Sequence, residues 1–290
     1  MKIVFIISFF YKWTTYSNVR ANYEYLQKLG YEVDIYSKKE NKIINFNNYD
    51  LVMLHGSGSF LSQEDYKKCN VPVISIAWSD PNLFHEDHFL NCDKYFTNDL
   101  NLSKKLTGKP IYFYNTACDK RYHKNLNLPK INDILVYGIG QHKFVTNRNQ
   151  VVNNLRKLGF KIKCFGREWD KHSDTYGFIE GKELIKEINQ SHLVLDISNK
   201  TTAWPHRILE SSACGTPVLT IDREDTRQMF EPGNEILTYI DMKEMVENLK
   251  WLQYPLQLKE IGLNAQKRCY KDHDISVRIK ELDNIIKGVI

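Results

Sequence analysis

The sequence predicts an α/β chain of two parallel, doubly wound domains. Three observations predict it. At 290 residues the chain is long enough for about two domains. It carries an internal echo: LQKLGYEVDIYS at 26–37 returns as LRKLGFKIKCFG at 155–166. In each copy a helix runs into Lys-Leu, a glycine stands where a left-handed residue would end it, and an alternating strand follows. Around each copy, apolar runs alternate with helical patterns, as in a parallel sheet with crossover helices.

The elements follow in order. MKIVFIISFF has one lysine and then about eight apolar residues, as a secretion signal would. YKWTTYSNVR follows without a small-residue cleavage site, so Ile3–Phe9 is expected as a buried first strand. After the first echo come strands at Asp50–Leu54, Val71–Ala77, Lys94–Thr97 and Ile111–Tyr114. Lys120–Asp133 is polar, contains Pro129 and reads as the linker. The second half opens with a strand at Ile134–Tyr137 and, after its echo, a helix at Lys182–Asn189. A strand at His192–Asp196 follows, then a helix at Pro205–Cys214 with proline in its first turn and Gly215 just past its end. Thr216–Ile221 is a strand and Lys243–Leu252 a helix. From Leu256 to Ile290 the pattern is helical, with a break near Asp272–Asp274. The expected segments are 1–128, 129–272 and a final 273–290.

Composition removes several classes. With 42% hydrophobic and 26% charged residues, the chain is neither disordered, collagen-like nor a coiled-coil rod. The net charge of +5 is spread along the chain, so a nucleic-acid partner is allowed but not indicated. The six cysteines form no CxxC pair and have no histidine at zinc-finger spacing. They read as reduced thiols of a cytoplasmic protein. No other apolar run approaches the ~18 residues of a membrane span.

Ligands of open α/β sheets bind beyond the C-terminal ends of the strands, and a cleft between two such domains is the default site. The densest loop there is Thr201–Thr220. A helix starting near Pro205 offers free N–H groups and a positive dipole end, which suit a phosphate. His206 and Arg207 add donors in that first turn. Glu210 lies on the same helix face as Arg207 and can accept two hydrogen bonds from a ribose diol. The plainer alternative is an Arg207–Glu210 ion pair. The loop Tyr137-Gly-Ile-Gly140-Gln-His-Lys143, with Arg148 beyond it, could bring backbone and cations to a phosphate, or be a plain strand-to-helix turn. In the first half, His55-Gly-Ser57-Gly follows one strand and Ser79-Asp80-Pro-Asn-Leu-Phe-His85 another. His55 and Ser57 are acceptor-side candidates. Asp80 and His85 are candidates for the base that takes an acceptor proton, with a helix-capping Asp and a surface His as the alternatives. Trp169 is the aromatic residue expected to line the cleft, although aromatic residues more often serve packing. No DxD pair stands in a loop where a divalent metal would hold a diphosphate, so none is expected.

Arg207-Ile-Leu-Glu210, Ala213-Cys-Gly-Thr-Pro217, Phe230-Glu-Pro-Gly233-Asn-Glu-Ile, and His273 with Arg278 come in a telling order. Upstream stand Tyr137-Gly138, Arg148, Phe165-Gly166 and Trp169. Over about 134–285 the chain resembles the GT-B glycosyltransferases, especially the CgeB-like (spore-maturation) group. The N-terminal half is looser, with Ser79-Asp80-Pro81 and Ala117-Cys118-Asp119. The resemblance implies two Rossmann-like domains facing a cleft, an acceptor-side first domain, and a second that holds a nucleoside-diphosphate sugar, a UDP-sugar foremost. It implies a final helix that crosses back to the first domain. Glu210 would bind the donor ribose, and Arg207 with Arg148 would offset the charge of the departing diphosphate. Many retaining members of the wider superfamily carry a glutamate eight residues before the second one; Thr202 stands there, so the usual carboxylate contact to the donor sugar is missing.

The function expected is transfer of a sugar from such a donor to an acceptor hydroxyl, on a surface-glycan precursor, metabolite or protein. A hydroxymethylated DNA base is an alternative acceptor, since Lys38-Lys39, Lys67-Lys68, Lys104-Lys105 and Lys120-Arg121 put cations in the first half. Other classes are a nucleotide-sugar epimerase and a two-domain binding protein.

Overall fold

The computed structural model describes residues 1–7, 18–37, 44–55, 61–77, 86–104, 109–141, 147–198 and 205–289, with 86–88 described by backbone alone. It divides into two units, Met1–Ala117 with Ile275–Ile290, and Cys118–Asp274.

The first unit runs β1 (Lys2–Ile7), α1 (Asn18–Lys28), β2 (Glu32–Ser37), β3 (Leu51–His55), α2 (Gln63–Lys68), β4 (Val73–Ala77), α3 (Glu86–Asn91), β5 (Lys94–Thr97), α4 (Leu100–Ser103) and β6 (Ile111–Phe113). The sheet order is β2-β1-β3-β4-β5-β6, with every pairing parallel. β3 and β4 are buried at every residue, as strands covered on both faces must be.

The second unit repeats the plan with β7 (Asn132–Tyr137), α5 (Arg148–Lys157), β8 (Ile162–Phe165), β9 (Thr175–Tyr176), α6 (Gly181–Asn189), β10 (Ser191–Leu195), α7 (His206–Ala213), β11 (Val218–Ile221), α8 (Glu224–Met229), β12 (Leu237–Tyr239), α9 (Met242–Leu249) and α10 (Pro255–Arg268). Its order is β12-β11-β10-β7-β8-β9, again all parallel. Residues 118–131 pack with this unit: Leu126 N–H donates to Asn189 Oδ1 at 2.7 Å, and Tyr270 Oη–H to the His123 carbonyl at 3.1 Å.

The echo is a shared helix stop. Gly30 and Gly159 adopt φ of +89° and +92°. Beyond them, Tyr31 N–H reaches back to the Leu26 carbonyl at 3.1 Å and Phe160 N–H to the Leu155 carbonyl at 3.2 Å. Both are the six-to-one bond that closes a helix over a left-handed residue.

The helical tail breaks where expected. α10 passes into one π-turn, Cys269–His273, extended Asp274 stops it, and α11 (Ile275–Lys287) begins. Ile279, Leu282 and Ile286 of α11 are buried in the first unit's core with Ile3, Phe5 and Leu26. Tyr31 Oη–H donates to Asp283 at 2.5 Å. The returning helix is therefore part of that core. One detail departs from expectation: Pro205 is the N-cap of α7, extended at ψ 134°, and His206 is the first helical residue.

Leu282 is fully buried, so Leu282→Ala should cost about 2–5 kcal/mol of first-unit stability, read from urea unfolding. His55 is buried at the end of β3, 2.8 Å from Asn22 Nδ2, and burial lowers its pKa to about 3. Between that value and the ~6.5 of an unfolded histidine, the unfolded chain binds one proton more, so stability rises with pH by about 1.4 kcal/mol per unit and plateaus above pH ~6.5. Unfolding curves of His55→Gln between pH 4 and pH 6.5 should be flatter than the parent's by about that slope.

Candidate functional site

The chemistry of the second unit gathers at the C-terminal ends of β7, β10 and β11. Its anchor is Asp196, the residue after β10. Its side chain is fully buried. It accepts hydrogen bonds from Ser198 Oγ at 2.9 Å, Thr220 Oγ1 at 2.8 Å and Arg207 Nη1 at 2.5 Å. Burial alone would raise its pKa. Arg207, then Arg148, then the two hydroxyls outweigh burial and hold the carboxyl below the usual carboxylate range.

Arg207 sits in the first turn of α7. Burial works against its charge, but Asp196 more than compensates and its pKa is raised. Arg207 is therefore engaged with Asp196, and Glu210 is not its ion-pair partner. Glu210, one turn on, is instead met by Tyr137 at the end of β7, whose hydroxyl donates to Glu210 Oε2 at 3.1 Å. The same hydroxyl lies 3.2 Å from the Arg207 carbonyl and 3.2 Å from Ser211 Oγ. His206 begins α7 with its pKa lowered, chiefly by burial, so the ring is neutral at pH 7.

Arg148 opens α5 and is buried. Its Nε donates to the Ile197 carbonyl at 2.7 Å and its Nη1 to the Ile139 carbonyl at 2.8 Å. It forms no ion pair within 4.0 Å among the described residues. Burial, and next the neighbouring Arg207, pull its pKa down to about 9, so the guanidinium still stays charged at neutral pH.

Gly138 brings the two cations together. Its φ is +124°, and a Cβ there would stand 3.0 Å from Arg207 Nη2 and 3.4 Å from Arg148 Nη1. Both guanidinium groups thus converge beside a bare stretch of backbone. Gly166 lies against the same loop: its Cβ would fall 1.8 Å from the Gly138 carbonyl. Gly140 and Trp169, expected to meet a ligand, meet each other. A Cβ on Gly140 would be 2.5 Å from the Glu168 carbonyl and 2.7 Å from the Trp169 ring. The Trp169 indole N–H donates to the Gly138 carbonyl at 2.9 Å and its ring packs on the unit's core. These two residues hold the loop in place.

In the first unit, His55 is 1% exposed, bonded to Asn22 and 5.1 Å from the Phe5 ring. Its ring is built into the interior, the packing role rather than the acceptor contact. Ser57, Asp80, His85 and Lys143 lie outside the described residues. Three or more His, Cys, Asp or Glu placed to hold a metal ion are not found among the described residues. Asp196, Ser198 and Thr220 are the site residues that the sequence did not single out. The signal was one acidic residue closing the apolar run Leu193-Val194-Leu195.

Comparison with known proteins places this fold. The whole chain superposes on sucrose-phosphate synthase from Thermosynechococcus elongatus with a TM-score of 0.74, at 12% identity and 99% coverage of each chain. The fold is that of the GT-B glycosyltransferases. Residues 148–284, most of the second unit and all of its arginine–carboxylate centre, match the family model described as glycosyl transferase-like. HepE from Anabaena, in complex with UDP-glucose, shares the GT-B fold at a TM-score of 0.68 and 11% identity, covering 99% of this chain and 100% of that one. An α-glucosyltransferase in complex with UDP and a 13-mer DNA containing an HMU base scores 0.64 at 13% identity, with 99% of each chain covered. No curated protein matches the sequence.

Asp196→Asn keeps the shape of the side chain but leaves Arg207 without its carboxylate, and should cost about 3 kcal/mol of second-unit stability at pH 7. Because the folded pKa of Asp196 is depressed, its contribution is complete above the unfolded value and fades as pH falls through the folded one. The gap between parent and variant in urea unfolding should therefore close below about pH 4.

Proposed function

We propose that this chain is a glycosyltransferase that moves a sugar from a nucleoside-diphosphate sugar, a UDP-sugar, to an acceptor hydroxyl. One observation carries the proposal. Among the described residues, Arg148 is a buried cation bonded only to carbonyl oxygens, beside a second guanidinium, where the glycine loop and the start of α7 meet. Asp196 offsets this charge only in part, since Arg207 holds that carboxylate, and a buried charge is costly unless something of opposite sign comes to it. A diphosphate supplies that charge. The solved GT-B structures that carry UDP or UDP-glucose support the choice of donor.

In this reading Arg148 and Arg207 receive the diphosphate, and Asp196 fixes Arg207 in advance. The two cations stabilise the negative charge that grows on the leaving group as the bond from the anomeric carbon breaks. The N–H groups of the first turn of α7 add to that field. Glu210, oriented by Tyr137, accepts hydrogen bonds from the ribose hydroxyls. With two guanidinium groups at the diphosphate, transfer proceeds without a divalent metal. If configuration inverts, Asp80 or His85 takes the acceptor proton; if it is retained, the departing phosphate takes it and these residues position the acceptor. The CgeB-like group, hexosyl transfer and a cytoplasmic setting, in which the six free thiols stay reduced, complete the reading.

The acceptor is a surface-glycan precursor, a metabolite or a protein. A second reading takes a hydroxymethylated DNA base as acceptor. It rests on the two DNA glucosyltransferases among the structures of like fold, one of them 17% identical over essentially its whole length.

Thermal unfolding against a panel of nucleotides tests the donor site. UDP at about a hundred times its Kd should stabilise the folded chain by about 2.7 kcal/mol, whereas Glu210→Ala should lose most of that shift. In a transfer assay, Arg148→Ala should lower kcat by about 100-fold or more, and a metal chelator should leave the parent rate unchanged. No stabilisation by any nucleoside diphosphate would sink the proposal. Incorporation of labelled sugar into hydroxymethylated DNA, but not into glycan or protein fractions, would select the second acceptor reading.

A further inference from the structure

The second unit has a cavity at the other end of its sheet, where β7, β10 and β11 begin. Its volume is about 460 Å³. Leu128, Pro217, Leu256 and Leu263 are among its apolar lining. Leu256 is 78% exposed, a large apolar side chain left open to solvent at the rim. Lys130, His192 and Lys259 also line the cavity, and no acidic residue is among its described lining. None of the three forms an ion pair within 4.0 Å among the described residues. Lys130 Nζ donates to the Thr216 hydroxyl at 3.3 Å, which gives it a neutral partner.

Burial pulls the Lys130 pKa down to about 8. Burial also lowers that of His192, and the nearby Lys130 lowers it further, while Asp133 opposes the shift. Two basic groups thus press on each other in the lining of a half-apolar cavity. That is the charge pattern of a pocket that gains by taking in an anion. The volume falls within the range of small-molecule sites.

We propose that this cavity binds a small amphipathic anion, with a phosphate or carboxylate head between Lys130 and His192 and an apolar body against Leu128, Pro217 and Leu256. The site is separate from the arginine pair: the strands between them run about 16 Å. It stands whether or not the donor reading is correct.

Lysine labelling of the intact protein at pH 8, read residue by residue by mass spectrometry, tests it with phenyl phosphate as the probe. The rate of Lys130 without probe is the reference for each comparison. Saturating phenyl phosphate should slow Lys130 about fivefold or more by holding it charged, while inorganic phosphate and benzyl alcohol at equal concentration should each slow it less than about twofold. Leu256→Ser, a change at an exposed position, should abolish most of the protection. In Lys130→Met, heat of binding for phenyl phosphate at this site should disappear with the melting temperature little changed. Equal protection by inorganic phosphate would overturn the proposal, showing that the apolar wall plays no part. So would a Lys130 that phenyl phosphate leaves unprotected.

Discussion

The second unit is organised around one buried carboxylate. Asp196 has three hydrogen-bond donors to its side chain, and Tyr239 Oη–H donates to its main-chain carbonyl at 3.0 Å. Those donors come from β11, β12, the start of α7 and the segment after β10. A single anion at the end of a strand therefore sets where a helix begins and where a guanidinium points. The desolvation of a carboxylate is tolerable only because every side of it is met. The same anion restrains Arg207 and tempers the field at Arg148. The pair of cations is thereby held open, and the glycine at 138 lets their ends approach one backbone position.

Much of the scaffold was legible. The repeated helix–glycine–strand unit marked both halves because a left-handed helix stop needs a glycine, and both glycines take that conformation. Buried parallel strands appeared as apolar runs. The break before α11 was visible because Asp272–Asp274 interrupts an otherwise helical pattern. The two edge strands β9 and β12 were not visible. They are two and three residues long, too short for any periodicity to register. Their positions come from pairing with a neighbour already in place, which is tertiary information.

The site was legible in its charged residues and illegible in their pairing. Arg148, Arg207 and His206 fall at helix starts, where sequence signals are strong, and Glu210 follows one turn into α7. Which carboxylate meets Arg207 depends on β10 lying beside β7 and β11, a fact of sheet order rather than of spacing along a helix. Helical proximity suggested Glu210; the sheet supplied Asp196. Gly140 and Trp169 carry a related lesson. A glycine can be needed because a ligand comes close, or because a tryptophan does, and the local sequence is the same in both cases. At Gly140 the tryptophan and the Glu168 carbonyl account for the requirement.

The return of α11 to the first unit bears on how the chain is made. Synthesis delivers Met1–Ala117 first, yet that unit lacks its last core helix until Ile275–Lys287 has been added. The second unit is continuous in sequence, so its packing needs no segment from beyond Asp274. During that interval the first sheet must wait with the place of Ile279, Leu282 and Ile286 unfilled. The first unit is thus completed by the last segment made, and until then its apolar face stands open, a surface for a chaperone to hold.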